Sequence, residues 1–390
     1  MVQIDQIVAR VRDVVGKPGD VLLHVPLFAG NESQYVQQCI DTGWVSSAGA
    51  FVTQFEQKLC AFTGSRYAVA CVNGTAALHM ALMLAGVEPD TEVLMPSLTF
   101  VATANAVSYC GATPHFCDIE SRTLGIDSYR LEEHLSQIVK VREGVPFNTH
   151  TGRRLAAIVP MHTFGHPVNM DALMEVATRW NIPIVEDAAE SLGSFYHDRH
   201  TGTFGKLNVL SFNGNKTITT GAGGAILTDD AGLAARAKHL TTTAKESHAF
   251  EYVHDAIGYN YRLPNINAAM GVAQLENLPE IIRRKRRLAL RYIEMMRDVP
   301  GVKVFTEPND CRSNYWLNTL ILAEGDMAIR NELLTALNSA GLQSRPIWRP
   351  MHQLAMFKSS PAMSLHVTEN IASRTVNVPS SPGLIAGDSA

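Results

Sequence analysis

The stretch Leu207–Ile226, LNVLSFNGNKTITTGAGGAI, decides how this chain reads. Leu207, Val209, Leu210 and Phe212 give the β-branched and aromatic enrichment of a buried strand. Asn213, Gly214 and Asn215 break it into a turn. Lys216 follows, and Gly221, Gly223 and Gly224 then let backbone approach something closely. A lysine on a turn beyond a buried strand is placed for covalent chemistry, because a desolvated amine loses its proton readily and can form a Schiff base. A surface lysine in a loop is the plainer reading, so the case rests on what the rest of the chain brings to the same place.

Working outward, short apolar strands alternate with amphipathic helices. Arg66–Val72 reads as a strand that runs into a Gly-Thr turn and a helix over Ala76–Ala85, with Thr75 as the cap candidate. Glu92–Met95 is a strand, and Phe100 opens a helix that ends at Gly111. Ala156–Pro160 and Ile182–Val185 are further strands, separated by a helix that ends near Asn181, and Val141–Leu155 is a polar surface excursion. Such alternation predicts an α/β fold with a mainly parallel central sheet, whose ligands sit beyond the carboxyl ends of the strands. Three of those exits carry chemistry. After the first comes Gly74-Thr75 at a helix N-terminus, where bare N–H groups and the helix dipole favour a phosphate. A second carries Asp187, with Glu190 one helical turn on, and a third carries Ser211 and Lys216.

A cofactor with a phosphate, a protonatable ring nitrogen and an aldehyde would use all three exits. The phosphate goes to Gly74, Thr75 and Ser211, the ring nitrogen is kept cationic by Asp187, and the aldehyde meets Lys216. That cofactor is pyridoxal 5′-phosphate. Phe100 can stack on its ring or be simple core, and Glu190 can face the ring's oxygen substituent or lie exposed.

The whole chain limits the alternatives. It has 390 residues, 46% of them hydrophobic, which suits about two domains with a sizeable core. A formal charge of −4 argues against nucleic acid as a partner. The basic run Arg283–Arg287 therefore reads as a solvated helix face. Six scattered cysteines read as reduced core residues of a cytoplasmic protein. The N-terminus is an amphipathic helix and not a signal peptide, and no run suits a membrane span. His162 and His166 have a metal-like spacing, but Gly165 and Pro167 break any helix that would align them, so no metal is expected.

The motifs NGTAALHMAL, PSLTFVATANAV, VPMHTFG, VEDAAESLGS, GTFGKLNVLSFNGNKTITTGAGGAI and GYNYRLPNINAAMG together resemble the nucleotide-sugar aminotransferases of the DegT/DnrJ/EryC1/StrS family, over nearly the whole chain from about Pro26. The resemblance implies a fold-type I enzyme with a large cofactor domain over residues 1–265 and a small C-terminal α+β domain over 266–390. It implies Lys216 as the Schiff-base lysine and base, Asp187 as the ring-nitrogen partner, Phe100 as the stacked aromatic, and Gly74, Thr75 and Ser211 as phosphate ligands. Glu190 stands where the family often has His or Gln. Asn260 is implied to enter the phosphate site of a second subunit, which makes the enzyme a homodimer with shared active sites. His352 is expected to return toward the cleft, and His162 and Phe164 are further candidates for contact with substrate.

Within the family, WVSSAGAFV, PMHTFGHP, EDAAESLGS and KHLTTTAK look like the legionaminic-acid and bacillosamine subgroup. That likeness implies amination at C4 of a UDP-linked 4-keto-2-acetamido-2,4,6-trideoxy sugar, with L-glutamate as donor and 2-oxoglutarate as co-product. The alternative within the same chemistry is a GDP-4-keto-6-deoxymannose 4-aminotransferase of the perosamine type. A sugar dehydratase on this scaffold would replace the lysine with histidine, so Lys216 counts against it. A non-catalytic cofactor-binding regulator would need loss of Lys216 or Asp187, or a DNA-binding segment, and none is visible.

Overall fold

The computed structural model describes residues 2–323 and 326–385. The end of the C-terminal tail, residues 386–390, which the sequence suggests is frayed, lies outside them.

The central sheet is built from β1 (Tyr67–Cys71), β2 (Glu92–Pro96), β3 (Thr113–Cys117), β6 (Leu155–Ile158), β7 (Val185–Asp187), β10 (Leu207–Ser211) and β11 (Gly224–Thr228). Two ladders, β3-β2-β6 and β7-β10-β11-β1, are joined by the parallel bridges Ile158↔Ile184 and Met161↔Asp187. The order is therefore β3-β2-β6-β7-β10-β11-β1, with β11 alone antiparallel to its neighbours. This is the mainly parallel sheet the strand-helix alternation predicts. It sets the ends of β1, β2, β7 and β10 along one edge.

Both faces of the sheet are covered, which is why its strands read as apolar runs. On one side, Val209 of β10 and Ile226 of β11 join α4 (Gly74–Leu84), α5 (Val101–Tyr109) and α8 (Ala231–Thr241). On the other, Leu210, Ala225 and Leu227 meet α3 (Ala50–Thr63) and the first half of α9 (Asn265–Met296). Alternate residues of one strand thus enter different cores, as the period of two requires. Near β2, β3 and β6, α6 (Ser128–Ile138) and α7 (Met170–Trp180) close a further cluster, and α2 (Glu32–Thr42) lies along α9.

The excursion at Val141–Leu155 is more ordered than its polarity suggests. It pairs β4 (Val139–Arg142) with β5 (Val145–Asn148) as an antiparallel hairpin. Its return strand anchors on the buried Glu92, which accepts hydrogen bonds from Asn148 and Thr151 and faces His115. A small antiparallel patch of β8 (Phe195–Tyr196), β9 (Arg199–His200) and β13 (Cys311–Arg312) ties the loop after β7 to the C-terminal part.

The C-terminal sheet has the order β12-β14-β16-β15, from β12 (Val302–Val304), β14 (Asn318–Leu322), β15 (Arg345–Pro346) and β16 (Thr375–Val378), and is antiparallel throughout. Its core includes Leu288 and Tyr292 from the second half of α9 and Leu333 and Leu337 from α10 (Met327–Ser339). The amphipathic N-terminal helix α1 (Ile4–Val15) buries Ile7, Val11 and Val14 in this same C-terminal cluster. A short α11 (His366–Ala372) precedes β16. The expected division at residues 265/266 falls at the start of α9, which runs unbroken past Pro279 and touches both cores.

Among the described residues no helix is long and apolar enough to cross a membrane, and all six cysteines are free.

Candidate active site

The strand exits open into one cavity of about 310 Å³. Its lining brings together Gly74, Thr75, Phe100, Asp187, Glu190, Ser211 and Lys216. The residues nominated from three separate strand exits and from the helix after β2 therefore meet.

At the end of β1 the chain turns directly into α4. Asn73, and not Thr75, caps this helix: its Oδ1 accepts from the Ala76 N–H at 2.8 Å. Asn73 wins because it occupies the extended residue just before the first helical turn. The Thr75 hydroxyl is thereby left to the cavity. Gly74 lies so close to β10 that a Cβ there would fall 2.8 Å from the Ser211 Cβ and 3.0 Å from its Oγ. Gly224 allows a similar approach, since a Cβ there would meet the Asn73 carbonyl at 2.5 Å. Among the described residues, the N–H groups of Gly74 and Thr75 and the hydroxyls of Thr75 and Ser211 have no protein partner. Unpartnered donors at a helix N-terminus fit a phosphate dianion.

Asp187 closes β7. Its Oδ2 accepts from Thr103 Oγ1 at 2.7 Å and its Oδ1 from the Ala189 N–H at 3.2 Å. It is almost fully buried, and no cation within the described residues pairs with it. A carboxylate held this way against a cavity fits a cationic ring nitrogen.

Lys216 leaves the turn after β10. Its Nζ donates to Glu190 Oε1 at 3.2 Å and lies 4.1 Å from the centre of the Trp316 ring. The other Glu190 oxygen accepts from the Phe164 N–H at 2.9 Å. Phe164 achieves this from a left-handed backbone conformation, φ 57°, which is costly for a bulky residue and turns its N–H inward. Burial pushes the Glu190 carboxyl up to about 7, against the pull of Lys216 and the Phe164 N–H. Glu190 is thus a buried partner of the lysine and not an exposed helix residue.

Phe100 is about half exposed at the cavity wall, with Trp348 at 6.4 Å between ring centres. Trp348 in turn packs on Phe164 at 4.9 Å. Trp316 and Trp348 line the cavity from the C-terminal part, and sequence reasoning missed both. It also missed Thr103, which holds Asp187 from α5. The only sequence signal for Thr103 is its position one helical turn after Phe100.

Three nominated substrate contacts lie outside the lining. His162 is fully buried, with Nε2 2.9 Å from Glu186 Oε2 and Nδ1 accepting from the Val168 N–H. Glu186 also takes the N–H groups of Gly202, Phe204 and Gly205, so this pair anchors a loop. Phe164 serves the site through its backbone and its packing, and His352 is engaged by Ser97 and Glu369. Asn260 is exposed, lies outside its own chain's cavity, and accepts from the Arg262 guanidinium. Among the described residues no cluster of His, Cys, Asp or Glu is arranged to hold a metal ion.

Residues 27–389 match the DegT/DnrJ/EryC1/StrS aminotransferase family. The chain is 37% identical to the GDP-perosamine synthase of Caulobacter vibrioides over 366 residues, covering 93% of this chain and 94% of the relative. It is 36% identical to the GDP-perosamine synthase of Escherichia coli O157:H7, covering 93% of each. Among solved structures, a DegT/DnrJ/EryC1/StrS aminotransferase from Brucella abortus superposes with a TM-score of 0.81 at 29% identity, over 90% of both chains.

Proposed function

The chain belongs to the DegT/DnrJ/EryC1/StrS aminotransferase family, whose cofactor is pyridoxal 5′-phosphate, and from that premise we propose that it moves the amino group of L-glutamate to C4 of GDP-linked 4-keto-6-deoxymannose. The products are 2-oxoglutarate and a GDP-linked 4-amino sugar. What supports the choice of sugar is that two relatives matched over 93% of this chain are named for GDP-perosamine. This favours the GDP-linked alternative over the UDP-linked acetamido sugar that the subgroup motifs suggest.

The cavity supports the reaction class through one observation: an amine, a buried carboxyl and a second carboxylate share it. Gly74, Thr75 and Ser211 would hold the cofactor phosphate, and Asp187 the ring nitrogen. Bound there, the cofactor supplies an electron sink for the carbon that loses a proton. Lys216 Nζ takes the proton from Cα of L-glutamate and, in the second half-reaction, gives one to C4 of the sugar. Glu190, 3.2 Å from that nitrogen and able to titrate near neutrality, holds or releases a proton beside it. Trp316 covers one side of the amine and keeps water from it.

The test is turnover of purified protein with L-glutamate and either GDP-4-keto-6-deoxymannose or the UDP-linked 4-keto-2-acetamido sugar. The GDP sugar is expected to be aminated at C4 with a much higher kcat/KM. Preference for the UDP sugar would overturn the substrate reading. A Lys216→Ala protein that completes many turnovers would overturn the reaction.

A further inference from the structure

A second lysine lies behind the cavity wall. Lys285, on α9, is fully buried. Its Nζ donates to the Trp316 carbonyl at 3.0 Å and to the Ser380 carbonyl at 2.8 Å, and stands 3.0 Å from His24 Nε2. Among the described residues no carboxylate pairs with it. An enclosed ammonium without an anion is costly, and burial pushes this amine down to about 7.

The three partners suit either protonation state. An ammonium has three N–H groups, for two carbonyls and an unprotonated imidazole nitrogen. A neutral amine has two N–H groups for the carbonyls and one lone pair for a protonated imidazole nitrogen. His24 can change tautomer to suit, because burial, and then Lys285 and Lys216, hold its ring neutral. The contact thus persists without a counter-charge.

What it grips is the backbone of Trp316. That residue is fixed at two further points: its N–H donates to Asn314 Oδ1 at 2.8 Å, and its indole N–H donates to the Asn215 carbonyl at 2.7 Å. Its ring face covers Lys216 Nζ. Asn314 also donates to the Glu190 carbonyl. Packing alone does not call for a lysine at 285. Apolar residues of similar volume commonly replace buried charges without loss of stability.

We propose that Lys285 is a positioning residue, tying the Trp316 backbone to His24 and Ser380 so that the indole stays against Lys216. The inference rests on Lys216 as the acting amine, and it goes beyond that reading by assigning a residue that touches neither cofactor nor substrate.

The experiment compares Lys285→Met, Trp316→Phe and the double variant as holoenzymes. Lys285→Met is expected to fold with an unchanged or raised thermal midpoint. Its kcat should fall about ten-fold, the order of loss that a small misplacement causes, while KM for the nucleotide sugar moves less than about two-fold. The visible absorbance band of the holoenzyme should shift in the same direction as in Trp316→Phe. The double variant should match Trp316→Phe, because the lysine acts through the indole. Losses that multiply in the double variant, or an unmoved kcat and band in Lys285→Met, would overturn the proposal. Lys285→Leu, which likewise removes every donor to the two carbonyls, is read by the same criteria if the methionine variant does not fold. A chain that folds with neither assigns the lysine to folding and also overturns it. Lys216→Ala is run alongside. If that variant stays active, the reaction assignment fails, whereas a dead Lys216→Ala with multiplying losses removes only the role of Lys285.

Discussion

Glu190 Oε1 and Lys216 Nζ stand 3.2 Å apart in a setting that leaves the carboxyl only 1% exposed. Burial raises the carboxyl to about 7 even though Lys216 and the Phe164 N–H pull it down, so Glu190 takes up or releases its proton in the neutral range. The consequence for stability has a definite sign. Between the ordinary carboxyl range and pH 7 the folded chain binds a proton at Glu190 that the unfolded chain has released. Stability therefore falls as pH rises through that window. In cofactor-free protein, Glu190→Gln is expected to flatten the decline in thermal midpoint between about pH 5 and 7. An unchanged slope would place the titrating group elsewhere. In the loaded enzyme the same variant should cost kcat far less than Lys216→Ala, because Lys216 moves the substrate proton, but the pH profile of kcat should lose its step near pH 7.

Gly74 tests the phosphate cradle. A Cβ added at Gly74 would fall 2.8 Å from the Ser211 Cβ, so Gly74→Ala must force the start of α4 away from β10. The backbone φ there is not left-handed, so the strain is local crowding and the fold should survive. Retention of pyridoxal phosphate on dialysis, followed by visible absorbance, should weaken about ten-fold or more, since several N–H and O–H donors move together. Ser211→Ala removes one donor without crowding and should weaken retention less. Equal retention in Gly74→Ala and the wild type would move the phosphate elsewhere.

Asp187 and Thr103 separate charge from orientation. Asp187→Asn keeps the shape but removes the negative charge proposed to face the ring nitrogen, and kcat should drop about 10²–10³-fold. Thr103→Val leaves the charge and removes the 2.7 Å hydrogen bond to Oδ2, so the loss should be an order of magnitude smaller. Rates at saturating substrate check the order of the two effects. A Thr103→Val loss as large as that of Asp187→Asn would contradict it.

The legible part of this molecule was local. Apolar runs marked the strands, and the residues just beyond them marked the cavity, because a parallel sheet carries its exits to one edge. Leu207–Ser211 and Val185–Asp187 pair side by side in the structure, as that reasoning required. Long-range choices were not legible. Thr103 reads as the interior of an apolar helix, and its bond to Asp187 depends on how α5 sits over β7. Trp316 and Trp348 come from segments flanking the C-terminal sheet, so their arrival at the cavity is decided by pairings far along the chain. His162 misled for a related reason. It follows a strand exit, yet its ring turns away to Glu186. The cap of α4 was a contest between neighbours, and the extended Asn73 prevailed over Thr75.

Asn260 gives a test of shared active sites. It is exposed, is held by Arg262 through its Oδ1, and contributes nothing to the cavity of its own chain. If it completes the phosphate site of a second copy, Asn260→Asp and Lys216→Ala should each be strongly impaired alone. Mixing the two and allowing subunits to exchange then produces heterodimers with one native site. That site takes Lys216 from the Asn260→Asp chain and Asn260 from the Lys216→Ala chain, while the other site carries both defects. Half of randomly paired dimers are mixed, so roughly a quarter of wild-type activity per site should return. If Asn260 acted within its own chain, no pairing would rebuild a native site, and the mixture would stay as inactive as its parts. Activity measured against mixing ratio, with sedimentation to verify exchange, decides between the two.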